Sequence, residues 1–190
     1  CERRVMYMAI WVTSDWHFCH NREFLYKPRG FDNIQDMNRA IIHRHNCRVN
    51  WDDDIYVLGD CMLNDNDEGR RCIARLNGQI HIISGNHDSD ARKLIYNDIH
   101  NVVEVVDGKF LRNGKYHFYL SHYPCLTSNW DEDKPLKARV VNLCGHSHTK
   151  DHFADWDKGL IFHCEMDTNN CEPILLEHII KKIENKLGEK

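Results

Sequence analysis

No apolar run in this sequence exceeds eight residues. The longest covers 5–12, whereas a membrane-spanning helix needs about twenty, so no such helix is expected. The run passes directly into polar Thr13-Ser14-Asp15, without the flanks of a secretory signal. Prolines number only four in 190 residues. No Pro- or Gly-rich stretch marks a linker, so one domain over 1–190 is expected. No Cys-x-x-C pair occurs among the nine cysteines. Their odd number and scattered spacing argue against a disulfide framework and against a four-cysteine zinc site. They read as reduced thiols, mostly core filler, in a cytoplasmic protein. A basic excess is missing as well: 25 Lys+Arg stand against 29 Asp+Glu, a net charge of −4. Nucleic-acid binding is therefore not favoured. One cysteine is residue 1, and the strand expected within a few residues of it leaves little tether for a lipid anchor.

What is present is a core-forming composition, 42% hydrophobic and 28% charged, with fourteen histidines. Histidine is the commonest metal ligand and the physiological proton carrier. Short apolar runs ended by polar turns predict buried strands over 7–13, 55–58, 80–83 and 140–144, with another over 160–163. Strands are also expected over 102–106, 109–112 and 116–121, with Asn113-Gly114 as a hairpin turn. Helical spacing predicts helices over 34–45, 68–76 and 91–96, and a C-terminal amphipathic helix over 176–187. Residues 15–33 read as a loop broken at Pro28 and Gly30. The order β-α-β-α-β followed by a strand-rich half predicts an α/β (α+β) fold of paired sheets flanked by helices.

The informative pattern is what ends each strand. The first leads to Asp15, His17 and His20, the second to Asp60, the third to Asn86-His87-Asp88. The strand over 116–121 leads to His122, and that over 140–144 to His146 and His148. Ligands of open α/β sheets bind at carboxyl strand ends. An extended chain would point residues 15 and 17 the same way, and likewise 146 and 148. Gly59 would free the turn that presents Asp60. Each fragment alone reads equally as an ordinary turn. The joint pattern, five strand ends in order with Asp, Asn or His at each, points to metal chemistry.

Asp15-Trp16-His17, Gly59-Asp60, Gly85-Asn86-His87-Asp88, Ser121-His122 and Gly145-His146-Ser147-His148 resemble the ordered motifs of the calcineurin-like metallophosphoesterases. The likeness to small bacterial and phage members extends to Thr13–His20, Met37-Asn38, residues 55–60, Met166-Asp167 and Pro173-Ile174, over roughly residues 7–180. Cys19 departs from the Gly frequent in those proteins, which bears on the shape of the first loop, and Trp16 fills a variable slot. The resemblance implies a four-layer fold, a two-sheet β-sandwich between helices, with two divalent metal ions at the strand ends. It places one on Asp15, His17 and His148, the other on Asn86, His122 and His146, with Asp60 bridging. Mixed N and O ligands suit Mn, Fe or Zn. The implied activity is phosphoester hydrolysis by a metal-bridging hydroxide, with His87 as general acid.

The remaining roles are read from position. Asp88 could orient the His87 ring, and His20 could contact the phosphate. Asn86, His87, Arg22 and Arg29 are candidates to hold the substrate; the loop also carries Phe24, Tyr26, Lys27 and Phe31, and Arg39, His43 and Arg44 follow on the next helix. Acidic residues after Trp130 would discourage long polyanions. An open site in a chain with no room for a cap domain favours a phosphodiesterase on small or nucleotide-like diesters. A phosphomonoesterase acting on small molecules or proteins is the alternative, then a non-catalytic scaffold of the same fold.

Overall fold

The computed structural model describes residues 8–126 and 134–188. The expectations about Cys1, the first residue of the first strand, and Trp130 with its acidic neighbours lie outside the described residues. The chain runs β1 (Ile10–Thr13), α1 (Glu23–Tyr26), α2 (Ile34–Asn46), β2 (Asp54–Val57), α3 (Asn66–Ile73), β3 (Gln79–Ile83), α4 (Asp90–Asn97), β4 (Val102–Val106), β5 (Lys109–Asn113) and β6 (Tyr116–Leu120). After a 3-10 turn at Leu136–Ala138 come β7 (Val140–Cys144), β8 (Ile161–His163), β9 (Ile174–Leu175) and α5 (Leu176–Gly188).

These strands form two sheets. The first has the order β4-β3-β2-β1-β9, the second β5-β6-β7-β8. In the first, β1 through β4 are parallel neighbours and β9 alone is antiparallel. In the second, the Asn113-Gly114 hairpin makes β5 and β6 antiparallel, and β7 and β8 follow in parallel.

Period-two alternation decides which core each residue enters. Ile55 and Val57 of β2, with Ile80 and Ile82 of β3, join Met37, Ile41, Cys72, Ile73 and Tyr96 in a core under α2, α3 and α4. Val12, Tyr56, Leu58 and Ile83 face the other way. They meet Phe118, Leu120, Val141, Leu143 and Phe162 of the second sheet, and α5 closes the same core with Leu176, Ile179, Ile180 and Ile183. Two sheets thus share one apolar layer between flanking helices, as expected.

Helix ends follow local chemistry. The Asn33 side chain accepts the Asp36 amide at the start of α2, and Asp65 accepts the Glu68 amide at the start of α3, each satisfying an otherwise unpaired donor. The segment read as a loop over 15–33 contains α1, whose Leu25 and Tyr26 are buried. One turn is too short for helical periodicity to show. Trp16 is fully buried, its ring 5.6 Å from Phe18 and 6.0 Å from His45, so the variable slot serves the core. Among the described residues no helix is long and apolar enough to cross a membrane.

Candidate metal centre

The five polar strand ends converge, but not by extended alternation. Asp15, His17, Asp60, His146 and His148 all have positive φ, from 48° to 75°. The left-handed region is costly for residues with a β-carbon. Here it is imposed by neighbouring turns. The Asp15 amide donates to the Gly59 carbonyl at 3.0 Å, the His17 amide to the Asp60 carbonyl at 2.9 Å, and the Gly145 amide to the His122 carbonyl at 2.9 Å. Cys19 has φ 64°, a conformation that glycine would adopt freely.

The glycines serve closeness of approach as well as conformation. A β-carbon at Gly59 would lie 2.4 Å from His122 Nδ1, and one at Gly85 would lie 2.2 Å from Asp60 Oδ1. At Gly145 it would lie 1.9 Å from the Ser14 hydroxyl.

Asp15 is fully buried. Its Oδ2 lies 2.5 Å from the Ser14 hydroxyl and accepts the His146 amide at 3.0 Å. Its Oδ1 is buried without any hydrogen-bond partner, yet lies 3.6 Å from His17 Nε2 and 3.7 Å from His148 Nε2. Those two nitrogens are 3.1 Å apart. Asp60 Oδ2 lies 3.7 Å from His17 Nε2 and 3.6 Å from His122 Nε2. Asn86 Oδ1 lies 2.8 Å from His122 Nε2 and 3.0 Å from His146 Nδ1. All seven expected ligands are therefore brought together. The ligand atoms of Asp15, His17 and His148 form one compact group, and those of Asp15, Asp60 and His122 another.

The donors fit divalent cations. A buried carboxylate oxygen with no proton donor, facing imidazole nitrogens, is completed by a positive ion. Ring tautomers agree. His122 Nδ1 is 2.8 Å from the Leu58 carbonyl and must carry the proton there, which leaves the Nε2 lone pair toward the centre. His148 Nδ1 is 3.0 Å from Asp167 Oδ2, a carboxylate–histidine arrangement typical of metal ligands.

Charge follows this geometry. Burial alone would push the Asp15 carboxyl up, but the nearby imidazoles of His17 and His148 hold it far below the usual carboxylate range. Burial pushes His17 down, against the pull of Asp15 and Asp60. Burial also lowers His148, but its bond to Asp167 and the Asp15 charge outweigh that and raise it. Carboxylates here favour positive charge at the spot the imidazoles face.

Two expected roles are corrected. Asp88 does not orient the His87 ring. Its Oδ2 accepts the Asp60 and Gly85 amides at 2.8 Å each, and its Oδ1 accepts the Cys61 amide at 3.2 Å and the Tyr96 hydroxyl at 2.7 Å. Its capacity is spent holding the turns that carry Asp60 and Asn86. Arg29 does not face a substrate. Its side chain is 1% exposed and forks onto Asp167 at 2.7 and 3.1 Å, with further bonds to the Asp15 and Trp16 carbonyls. On the next helix Arg39 pairs with Asp36 at the surface, and Arg44 donates to the Asn170 carbonyl.

The other residues sit at the centre's edge. His87 is 39% exposed, with Nε2 3.9 Å from Asp60 Oδ2 and its amide donating to Asp60 Oδ1 at 2.9 Å. His20 is buried, with Nδ1 3.3 Å from His17 Nδ1 and its ring 5.9 Å from that of His87. Burial and the His17 charge lower it to about 4. Arg22 is exposed at the start of α1. Sequence reasoning missed the parts played by Asp167 and Ser14. Asp167 lies within the quoted Met166-Asp167 motif, but nothing local tells that it reaches His148.

The chain resembles known proteins along most of its length. Residues 8–163 match the calcineurin-like phosphoesterase superfamily domain. An uncharacterized protein of Methanocaldococcus jannaschii is 31% identical over 181 residues, covering 92% of this chain and 91% of that one. Among solved structures, a protein of unknown function from Aquifex aeolicus superposes with a TM-score of 0.72 at 22% identity, covering 92% of this chain and 99% of that one. An archaeal phosphodiesterase superposes at 0.50 with 20% identity, covering 85% and 87%. These two likenesses concern the fold. The pattern match over most of the chain, on the same strand ends that gather the buried donors, makes this protein a member of the calcineurin-like phosphoesterase superfamily.

Proposed function

We propose that the protein is a phosphoesterase using two divalent metal ions, with a preference for small or nucleotide-like phosphodiesters. One observation carries the dinuclear reading. The buried Asp60 carboxylate stands between two imidazole groups, with Oδ2 3.7 Å from His17 Nε2 and 3.6 Å from His122 Nε2. A carboxylate at that place could be shared by two cations. One ion would be held by Asp15, His17 and His148, the other by Asn86, His122 and His146, and Asp60 would be shared. Bound there, such ions supply an acidified water as nucleophile and neutralise the phosphate oxygens. Mn, Fe and Zn all suit this donor set.

The chain's own groups do the rest. His87 reaches the centre from its rim and can give a proton to the leaving oxygen. The Asp60 acceptor on the His87 amide fixes that residue's backbone. His20 and exposed Arg22 stand beside it as hydrogen-bonding and charged contacts for the phosphate. The site lies open at the strand ends, which suits substrates with two ester arms. The described cysteines Cys19, Cys47, Cys61, Cys72, Cys125, Cys144, Cys164 and Cys171 are all free, in keeping with a reducing cytoplasm. The chain is read as one catalytic domain whose partner is its phosphoester substrate rather than a membrane or a nucleic acid.

The test is hydrolysis by metal-stripped, Mn-reconstituted protein, with bis-p-nitrophenyl phosphate and p-nitrophenyl phosphate side by side. Faster Mn-dependent turnover of the diester is expected. Preference for the monoester would make the protein a phosphatase. Two bound metals with no turnover of either would mean a more demanding substrate or a scaffold role.

A further inference from the structure

A cavity of about 400 Å³ opens beside the metal centre, on the His122 side of the proposed reaction path. It is lined by Asn86 and His122, by Tyr119, Tyr123 and Cys125, and at its far end by Lys93. Its size is within the range that encloses small organic ligands, about 300–1,000 Å³. Tyr123 is half exposed. Its ring meets those of His122 and His146 edge-on, at 5.2 and 4.6 Å. The ligand imidazoles therefore fix the ring's position. At the far end Lys93 Nζ lies 2.9 Å from Asp107 Oδ1, which also accepts the Ser84 hydroxyl at 2.6 Å. The cavity thus offers an aromatic wall next to the ligands and a hydrogen-bonding edge opposite.

His87 lies on the other side. Its ring is 5.6 Å from that of His17 and 5.9 Å from that of His20, and His20 in turn meets exposed Phe24 at 5.8 Å. A proton donor must stand beside the oxygen that leaves. The departing arm therefore exits past His87, and an arm lying in the Tyr123 cavity is one that stays on phosphorus.

The geometry points to the cavity between Tyr123 and Lys93–Asp107 as the subsite for the retained arm of a phosphodiester, an arm that is planar, aromatic and polar at its outer edge, as a nucleobase is. This rests on the phosphoesterase reading above and gives that reading its substrate class. In the balanced step, the oxygen of water bonds to phosphorus, one proton of that water passes to the solvent that later reprotonates His87, and the bond from phosphorus to the departing oxygen breaks. His87 protonates that oxygen, and the product is a monoester still carrying the retained arm. A monoester substrate has no such arm and leaves the cavity empty.

Two measurements test this on the Mn-loaded full chain. In the first, Tyr123→Ala is compared with the unaltered protein on bis-p-nitrophenyl phosphate and p-nitrophenyl phosphate. Loss of a stacking wall is expected to lower the diester-over-monoester ratio of kcat/KM about tenfold, mainly through the diester KM. An unchanged ratio would overturn the assignment. The second needs no turnover. Alkylation of Cys125 by iodoacetamide is followed by peptide mapping, with exposed Cys47 as the internal reference. Phenylphosphonate, a phosphoryl group with one planar arm, is expected to slow Cys125 alkylation at least fivefold and leave Cys47 unaffected. Inorganic phosphate is expected to protect neither. Equal protection of Cys125 by both ligands, or by neither, would overturn the subsite. Absence of hydrolysis by the unaltered protein would instead count against the phosphoesterase reading, and the alkylation result would still decide the cavity.

Discussion

Asp60 and His87 are tied twice: Asp60 Oδ1 accepts the His87 amide at 2.9 Å while Oδ2 lies 3.9 Å from the same residue's Nε2. The proposed shared ligand thereby sets the position of the proposed proton donor. Asp60→Asn removes the negative charge between the two imidazole groups and replaces one acceptor oxygen by an NH2 group. Bound Mn, measured by elemental analysis after dialysis, is expected to fall from two per chain to one or none, with hydrolysis nearly lost. Two ions retained at full occupancy would contradict the bridging role.

His87→Ala leaves every proposed ligand in place, so the metal content is expected to stay the same. Loss of a general acid costs about 10²- to 10⁴-fold where the leaving oxygen needs a proton. The drop in kcat is therefore expected to be large for alkyl esters and small for p-nitrophenyl esters, whose leaving group departs as a stable anion. Equal losses on both series would exclude proton donation by His87.

Asp167 holds the His148 ring and the buried Arg29 fork together. Asp167→Asn is expected to weaken Mn affinity about 10- to 100-fold, the usual effect of losing a carboxylate behind a ligand histidine. It also leaves the Arg29 charge without its partner, so the melting temperature of the metal-free protein should fall too. Mn titration and thermal unfolding of the same sample check the two halves separately.

His45 makes stability depend on pH. The ring is fully buried, with Nε2 2.8 Å from the Asn77 carbonyl and Nδ1 without a partner. Burial lowers it to about 4, only partly opposed by that hydrogen bond. The folded protein keeps this ring neutral where the unfolded chain would protonate it. The contribution is present above pH 6.5 and is lost as pH falls from about 6.5 through about 4, amounting to about 3 kcal/mol across that window. His45→Gln should flatten the decline of the urea midpoint between pH 7 and pH 4.5. A slope equal to that of the unaltered protein would place the pH dependence elsewhere.

Strands and the polar strand ends that converge were legible in the sequence because each sits at a change of texture. Ile82 and Ile83 give way to Ser84-Gly85-Asn86, and Cys144 to Gly145-His146, as buried strands meet polar turns. The bounds of α3 differ from the expected ones by two and three residues and those of α4 by one at each end, because caps such as Asp65 act ahead of the apolar pattern. What stayed hidden is tertiary. Arg29 looks like a free loop cation until Asp167, far along the chain, is folded against it. Asp88 looks like a partner for adjacent His87, yet Tyr96, the Gly85 amide of its own turn and the Asp60 and Cys61 amides of a distant one take its oxygens. Alternation suggested how residues 15 and 17 share a direction, whereas the actual left-handed turns depend on hydrogen bonds to Gly59 and Asp60.

The centre draws Asp15, Asp60 and Asn86 from the ends of the first sheet and His122 and His146 from those of the second. Ions seated there would fasten one sheet to the other like a clasp at the edge of a folded page. Opening the sandwich would then require letting them go. Amide hydrogen exchange in β2 and β7, on opposite sides of the shared apolar layer, should slow together when Mn is added and quicken together when a chelator removes it.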